Sequence, residues 1–380
     1  ISHTMMSNDE KILSLLKTYF EPDDYFLVYK RMIGTGCIGG KACGMLLARK
    51  IIQKDNPEAF AHMEPHDSYY LGSDVFYTYI VHNKFWRLHI HQKTKQGYFK
   101  LAPQLEQAFL SGSFPEAIRL QFIRMLEYFG QRPIIVRSSS LQEDAFGNAF
   151  AGKYESVFCI NTGTMDERLT ELENAVRTVY ASTMNTSALE YRRQRGLGFK
   201  DEQMALLIQR VSGSMYEDFL MPNAAGVGYS YSAYKWDDSI DASDGMLRLV
   251  MGLGTRAVDR TEGDYPRIVN LSAPERSTLT ESWAKHQYSQ RYVDLMDYTT
   301  KSLSSRPLKD VTPYMDSWYK KLVLEHDSDA ERTFRERGQR REILFANCEG
   351  LVRNTEFTGC MKSLLHTLQQ AYQYPVDIEF

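Results

Sequence analysis

Hydrophobic positions follow two different periods along this chain, so both helices and strands are predicted. Apolar residues recur at helical spacing over residues 11–20, and again over residues 45–54 after a cluster of glycines. The aromatic and β-branched run at residues 25–29 predicts a strand before that cluster. The first part of the chain is therefore predicted to hold a strand, a glycine-rich loop and a helix in succession.

The two periods alternate to the end of the sequence. Strand material is predicted at residues 67–87, 134–136, 204–211, 226–234, 246–251 and 376–380, and helices at residues 114–128, 166–180, 187–195, 277–297, 310–341 and 357–372. Interleaved strands and helices predict an α/β or α+β architecture. A chain of 380 residues is longer than one ordinary compact unit, which predicts two or more lobes.

Composition and charge narrow the classes of function. No stretch contains the roughly 18 consecutive apolar residues of a membrane span. The 45 basic and 48 acidic residues nearly balance, so neither a nucleic acid nor an anionic membrane is predicted as a partner. The five cysteines include no CxxC pair and no metal-ligand spacing, which favours a reducing, cytoplasmic location.

The glycine cluster at residues 34–44 has the composition of a phosphate-binding loop. A GxGxxG match begins at Gly34, which alone would suggest a Rossmann oxidoreductase. Asp55 follows at the expected distance, but it ends a helical pattern instead of a second strand, so this hypothesis is not favoured. A flexible loop, the Lys41 ammonium and a following helix N-terminus together favour a bound phosphate. The alternative is a glycine turn required only for tight packing.

A second group of candidate residues follows the strand predicted at residues 134–136. Arg137 ends that strand, where its planar guanidinium can present several donors to phosphate oxygens, and the serines after it add hydroxyl donors. Arg137 is therefore the predicted triphosphate contact, and an ion pair with a neighbouring acid is the alternative. The motif covers residues 132–144 and continues at residues 149–155.

Two further segments carry charges that fit phosphate chemistry. Arg256 and Arg260 lie in a glycine turn after a predicted strand, and they either reach anions or serve only the turn. Asp377 and Glu379 share one face of the last predicted strand because side chains alternate with a period of two. Paired carboxylates suit magnesium bound to nucleotide phosphates, with ordinary surface charge as the alternative.

The histidines do not predict a metal site. His89 and His91 lie in an aromatic stretch and would share one face of a strand. No third ligand is evident in the sequence, so a structural role is favoured over metal binding.

Together these motifs resemble the nucleotide-binding domain of phosphoenolpyruvate synthase and pyruvate phosphate dikinase, and the corresponding domain of rifampicin phosphotransferase. The similarity covers residues 30–380 and rests on the order of the motifs. In that order they are Ile38-Gly-Gly-Lys-Ala42, Ile135-Val-Arg-Ser-Ser139, Phe150-Ala-Gly-Lys-Tyr-Glu155, Gly252-Leu-Gly254 and Asp377-Ile-Glu-Phe380.

The resemblance implies an α+β, ATP-grasp-like fold with ATP between two or more lobes. It implies that Lys41 and Arg137 hold the phosphates as the catalytic residues, and that residues 209–211 lie beside the adenine. It further implies that Asp377 and Glu379 bind Mg²⁺ or the nucleotide. The full set of implied binding residues is Gly39, Gly40, Lys41, Arg137, Ser138, Gln209, Val211, Asp377 and Glu379, with ATP and Mg²⁺ as cofactors.

In this family ATP phosphorylates a histidine on a separate swivelling domain, which carries the phosphoryl group to pyruvate or another acceptor. The present sequence has no Thr-Ser-His-like segment and no acceptor domain, so the resemblance implies phosphohistidine and acceptor domains in a longer parent protein. The sequence also stops before the strand with a Leu-Gln-x-Arg pattern, which indicates a chain cut from such a parent. Residues 252–260 differ from the best-known dikinases, so the acceptor need not be pyruvate. The alternative function is a non-catalytic nucleotide-binding module that serves regulation or assembly.

Four segments are therefore predicted along the chain. Residues 1–5 are interpreted as a remnant of recombinant expression and residues 6–29 as a leading helix with its lead-in. Residues 30–225 are predicted to form the N-terminal lobe or lobes, with the glycine-rich loop and the Arg-Ser-Ser strand. Residues 226–380 are predicted to form a C-terminal lobe with a helical region and the Asp-Ile-Glu strand.

Overall fold

The chain folds into two compact units, each of which mixes helices with strands. The structure is a computed structural model that describes residues 2–141, 143, 152–236, 238, 240–258, 261–277, 279 and 281–380. The first unit comprises Ile1–Lys50 and Glu64–Val211, and the second comprises Ile51–Met63 and Ser212–Phe380. The architecture is therefore α+β, as predicted.

The bounds of the elements are as follows. The helices are α1 (Glu10–Tyr19), α2 (Pro22–Lys30), α3 (Gly40–Asp55), α4 (Pro57–Ala61), α5 (Ser73–His82), α6 (Trp86–Gln92), α7 (Ala102–Ser111), α8 (Glu116–Phe129), α9 (Met165–Ser182), α10 (Thr186–Gln194), α11 (Thr255–Val258), α12 (Ser282–Gln287), α13 (Leu308–Val311), α14 (Ser317–Val323), α15 (Ser328–Glu336), α16 (Glu349–Val352) and α17 (Thr355–Tyr372). The strands are β1 (Met32–Ile33), β2 (Ser68–Leu71), β3 (Ile134–Ser140), β4 (Ser156–Cys159), β5 (Met204–Arg210), β6 (Ser214–Tyr216), β7 (Phe219–Met221), β8 (Ala225–Tyr229), β9 (Met246–Val250), β10 (Arg267–Asn270), β11 (Tyr292–Asp297), β12 (Ser302–Pro307), β13 (Leu324–His326), β14 (Leu344–Ala346) and β15 (Asp377–Glu379). Ser2–Met6 forms a π-helical turn.

A five-stranded sheet in the order β1-β2-β5-β3-β4 organises the first unit. Only β1 and β2 run parallel, and the other neighbours are antiparallel. One face of this sheet packs against a core built from α5, α7, α8 and α9 and is apolar. The core includes Phe76, Tyr79, Phe109, Phe122, Ile134, Val136, Tyr180, Leu206 and Ile208, all of which are essentially fully buried.

The opposite face of the same sheet carries polar side chains. Arg137 and Ser139 alternate with the apolar residues of β3, and they therefore point away from the core. Gln209 on β5 shares that second face, where its amide donates to the Met45 sulfur of α3 at 3.1 Å. Because successive side chains of a strand point to opposite faces, one face of the sheet packs against the core and the other carries Arg137 and Gln209.

The second unit contains two four-stranded antiparallel sheets and one hairpin. The sheets have the orders β10-β9-β8-β15 and β12-β11-β7-β6, and β13 pairs with β14. A core containing Leu247, Val293, Leu295 and Tyr319 lies among these strands and the helices around them. No helix in the described part of the chain combines the length and the hydrophobicity of a membrane span.

Several predicted elements are confirmed, most clearly the long helices. Helices α1, α3, α8, α9, α10 and α17 and strands β3, β5, β8, β9 and β15 lie where the hydrophobic pattern predicts them. Strand β3 extends to Ser140 and so includes the serines that were expected after its end.

The strand predicted at residues 25–29 is wrong, because this segment belongs to α2. Pro22 occupies the first turn, where its fixed φ suits a helix, and Asp24 accepts the Glu21 backbone N–H at 2.9 Å in a capping box. Phe26 is 57% exposed and Val28 is buried. Pro22 and the capping box at the N-terminus of α2 therefore outweigh the preference of aromatic residues for strands.

The predictions for residues 67–87 and 277–297 are each only half right. Strand β2 ends at Leu71, and the aromatic residues after it recur at helical spacing in α5. Conversely, residues 292–297 form β11, whose alternating Val293 and Leu295 enter the core. His89 and His91 lie on α6 and not on a strand, so they do not share a strand face.

We predict that His89 makes the fold sensitive to acid. Its side chain is 2% exposed, and neither ring nitrogen has a hydrogen-bond partner among the described residues. Burial, assisted by the charges of Lys93 and Arg192, lowers the pKa of His89 to about 3 from its ordinary 6.5. The unfolded chain therefore binds a proton below pH 6.5 that the folded chain excludes, and the free energy of unfolding falls as the pH falls.

His89→Phe should accordingly reduce the loss of stability between pH 7 and pH 5, measured by urea unfolding at both values. An apolar ring can replace two unpaired nitrogens at little cost. The exposed His82 on α5 supplies the matched control, His82→Gln. An unchanged pH dependence in the His89 variant would contradict the prediction.

Candidate functional site

The glycine-rich loop lies directly against the end of β3. Gly39 has a φ of +82°, and a Cβ atom there would stand 1.4 Å from the Ser139 carbonyl oxygen. A Cβ atom on Gly40 would stand 1.8 Å from the Glu143 carbonyl oxygen. Only glycine fits at either position. The loop and the Arg-Ser-Ser strand, about one hundred residues apart in sequence, therefore meet in backbone contact.

Side-chain hydrogen bonds fix the same junction. The Ser139 hydroxyl donates to the Ile38 carbonyl at 2.8 Å and accepts from the Ala42 backbone N–H at 3.0 Å. Because Ala42 belongs to the first turn of α3, this bond satisfies one of the N–H groups that a helix start leaves unpaired. The serine thus anchors both the loop and the helix that begins at Gly40.

Lys41 projects from this junction with its ammonium partly exposed. Its Nζ lies 3.5 Å from a carboxylate oxygen of Glu143, and the side chains of Lys41 and Glu143 are 24% and 3% exposed. The buried carboxylate also accepts from the Ser138 hydroxyl and from the Ser140 backbone N–H, each at 2.8 Å. Ser138 is itself buried, so in this structure its hydroxyl serves Glu143.

Arg137 and Gln209 lie on the sheet face that the loop also contacts. Arg137 stands opposite Leu207 on β5 and Ser156 on β4, and its side chain is half-buried. Gln209 lies two residues further along β5, opposite Ile135. Val211 is buried, and its backbone N–H donates to the Pro133 carbonyl at 2.9 Å. Arg137 and Gln209 thus share one face of the sheet, whereas Ser138 lies on the opposite face and Val211 follows the end of β5.

A second buried acid also contacts the end of β3. Glu202 is 2% exposed, lies 3.3 Å from the Arg192 guanidinium, and accepts from the hydroxyls of Tyr154 and Ser140. Burial raises the pKa of the Glu202 carboxyl despite these partners. The three consecutive serines of β3 therefore each have a different partner: Glu143, the glycine-rich loop and Glu202.

Asp377 and Glu379 lie in the second unit, on strand β15. They stand opposite Tyr229 and Val227 of β8, and this register puts both carboxylates on one face of the sheet. Each keeps more than a third of its surface in solvent, yet partial desolvation and the neighbouring Glu379 charge raise the pKa of Asp377. Among the described residues no group of three or more histidine, cysteine or acidic side chains could hold a metal. Two carboxylates fit a magnesium ion that keeps water and phosphate oxygens as its other ligands.

The turn at Gly252-Leu-Gly254 and the short helix α11 after it are held by ion pairs among the described residues. The Arg256 guanidinium lies 3.0 Å from Asp294, donates to Asp264, and also contacts Ser305. The N–H groups of the Arg256 guanidinium therefore bond to side chains of β11 and β12 and hold α11 against these strands. Arg260 lies outside the described residues, as do residues 149–151 of the predicted second motif.

Comparison with protein families shows to which family this chain belongs. A family model described as the pyruvate phosphate dikinase, AMP/ATP-binding domain, matches residues 35–380. The chain belongs to this family. Comparison with curated proteins gives no match. The match spans the glycine-rich loop, the Arg-Ser-Ser strand and the Asp-Ile-Glu strand, in agreement with the resemblance seen in the sequence.

Membership in the pyruvate phosphate dikinase AMP/ATP-binding family gives the chain an α+β, ATP-grasp-like fold and ATP as a ligand. The family also relates the chain to dikinase-type phosphotransferases. The most informative residues that sequence reasoning did not single out are Ser139, Glu143 and Glu202. The three serines signalled hydrogen bonding, but their different partners follow only from the alternation of strand faces and from contacts distant in sequence.

We predict that the loop tolerates no side chain at the junction with β3. Gly39→Ala and Gly40→Ala should each lower the free energy of unfolding by about 1–3 kcal/mol, because the new Cβ atom forces strain or displaces the backbone. Both should also weaken ATP binding, measured by calorimetric titration of the folded protein.

Gly44→Ala is the matched control, since it lies in α3 with open space around the added Cβ atom. It should raise stability by about 0.5–1 kcal/mol through the better helix propensity of alanine. Equal behaviour of all three variants would show that the close contact has no energetic importance.

Proposed function

We propose that this ATP-binding domain uses Mg²⁺ and ATP to phosphorylate a histidine on a separate domain of a longer protein. From that histidine the phosphoryl group would pass to pyruvate or another acceptor. The observation that carries the proposal is that the glycine-rich loop, with Lys41 at the start of α3, contacts the strand that carries Arg137, within a domain of the dikinase family.

The chemistry of these groups matches a triphosphate. Arg137 offers a planar set of donors, and Lys41 offers a compact cation beside backbone N–H groups at the start of α3. Phosphoryl transfer depends mainly on positioning and on neutralising charge, so a site with rigid supports and two cations suits it. Gln209, at the other end of the proposed site, supplies an amide that would pair with the edge of the adenine.

Asp377 and Glu379 are the proposed holders of Mg²⁺. Both residues are exposed on β15, where their carboxylates would share an ion with phosphate oxygens. When bound, the ion would neutralise part of the triphosphate charge. Metal binding requires deprotonated carboxylates, so the raised pKa of Asp377 predicts that acidification weakens the binding of Mg²⁺.

The first test addresses the cations. Lys41→Ala and Arg137→Ala should each weaken ATP binding by about 1–3 kcal/mol, the range for a hydrogen bond to a charged group. Calorimetric titration with ATP and a non-hydrolysable analogue, with and without Mg²⁺, provides the measurement. Lys17→Ala and Arg124→Ala, both exposed, are the matched controls. Unchanged affinity in both folded site variants would remove the assignment of the site.

The second test addresses the transfer itself. In the natural protein that carries this domain, ATP labelled separately in its β- and γ-phosphates should leave an acid-labile, base-stable label on a histidine. The label should require Mg²⁺ and should disappear in the double variant Asp377→Asn, Glu379→Gln. Asp329→Asn, which changes an exposed acid on α15, should leave the label unchanged. ATP binding without any labelled histidine would instead support a non-catalytic nucleotide-binding module.

A further inference from the structure

Glu143 has an environment unlike that of an ordinary surface acid. Its side chain is 3% exposed, although it lies in a turn after β3. One carboxylate oxygen accepts from the Ser140 backbone N–H, and the other accepts from the Ser138 hydroxyl. That second oxygen also faces the Lys41 ammonium at 3.5 Å. The carboxylate is therefore held by two short bonds from β3 before it meets the lysine.

We propose that Glu143 is a positioning residue that holds the Lys41 ammonium in place for the nucleotide phosphates. This inference rests on the proposed function, since it assigns a role only if Lys41 contacts the phosphates. Lysine has a long, flexible side chain that loses rotamer freedom when it is fixed. An anion already fixed by the backbone can confine that chain before the ligand arrives, which improves affinity without any direct contact to ATP.

The side chains of Lys41 and Glu143 differ in exposure, which favours the enclosed glutamate as the group that positions the lysine. The lysine keeps about a quarter of its side chain in solvent, whereas the glutamate is almost completely enclosed. An ammonium has three donor hydrogens, and a single contact with Glu143 leaves two of them for phosphate oxygens. The carboxylate itself, behind the lysine and bonded to β3, would remain out of contact with the like-charged triphosphate.

The competing interpretation is that Glu143 only stabilises its own turn. Its backbone N–H donates to the Ser140 carbonyl at 3.1 Å, and its carbonyl oxygen packs against Gly40. Loss of the carboxylate would then disturb the loop whether or not Lys41 is present. The two interpretations differ in whether the effect on ATP passes through the lysine, and a double-mutant cycle measures that difference.

The experiment measures ATP affinity in the wild type, Glu143→Gln, Lys41→Ala and the double variant, at fixed Mg²⁺ and ionic strength. The positioning role predicts that Glu143→Gln weakens binding at least about fivefold in the wild type and less than about twofold when Lys41 is already alanine. Glu202→Gln is the matched control: a buried acid bonded to the same strand, but with Arg192 as its cation. Its effect on ATP affinity should be the same in both backgrounds.

Each outcome decides a specific claim. Equal effects of Glu143→Gln in both backgrounds would overturn the positioning role and leave the proposed ATP site intact. No effect of Lys41→Ala alone would overturn the positioning role together with the assignment of Lys41 to the phosphates, and Arg137→Ala would then decide whether the rest of the proposed site stands. If Glu143→Gln folds poorly, Glu143→Asp keeps the charge and should restore part of the affinity, again only when Lys41 is present. Failure of that rescue in a folded protein would also overturn the role.

Discussion

The backbone contact between the glycine-rich loop and the end of β3 is the constraint on which the rest of the first unit depends. Ser139 and Glu143 present carbonyl oxygens so close to the loop that Gly39 and Gly40 have no room for a Cβ atom. The contact fixes where α3 begins, because the Ser139 hydroxyl pairs with an N–H group of its first turn. It also fixes where Lys41 emerges. The glycines that satisfy this packing requirement therefore lie at the proposed phosphate site.

In the sheet beneath this junction, side chains alternate along each strand, so that core residues lie on one face and Arg137 and Gln209 on the other. Its apolar face buries large aromatic and aliphatic side chains against four helices, which supplies most of the burial in this unit. Its other face carries Arg137, Ser139 and Gln209. Rigid strands hold such groups more precisely than loops do. Two buried acids, Glu143 and Glu202, then take up the donors that the serines at the end of β3 present.

The second unit uses its ionic groups in two different ways. Arg256 is surrounded by Asp264 and Asp294, so its charge is compensated within the protein and ties a short helix to a sheet. Asp377 and Glu379, by contrast, lie exposed on one face of an edge strand, where they are the proposed holders of Mg²⁺.

The sequence by itself determined the α+β class, the long amphipathic helices, the strand that carries Arg137 and the family, because periodicity and motif order are local or ordered along the chain. It misjudged residues 25–29, where a capping box at Glu21 and Asp24 outweighs aromatic strand preference. It also missed β11, whose alternation is short and interrupted by polar residues. Only the tertiary structure decided the roles of Ser139, Glu143 and Glu202, and the commitment of Arg256 to two aspartates. The physical reason is that these roles depend on partners up to about one hundred residues distant, brought within hydrogen-bond distance by sheet register and by glycines that allow two backbones to touch.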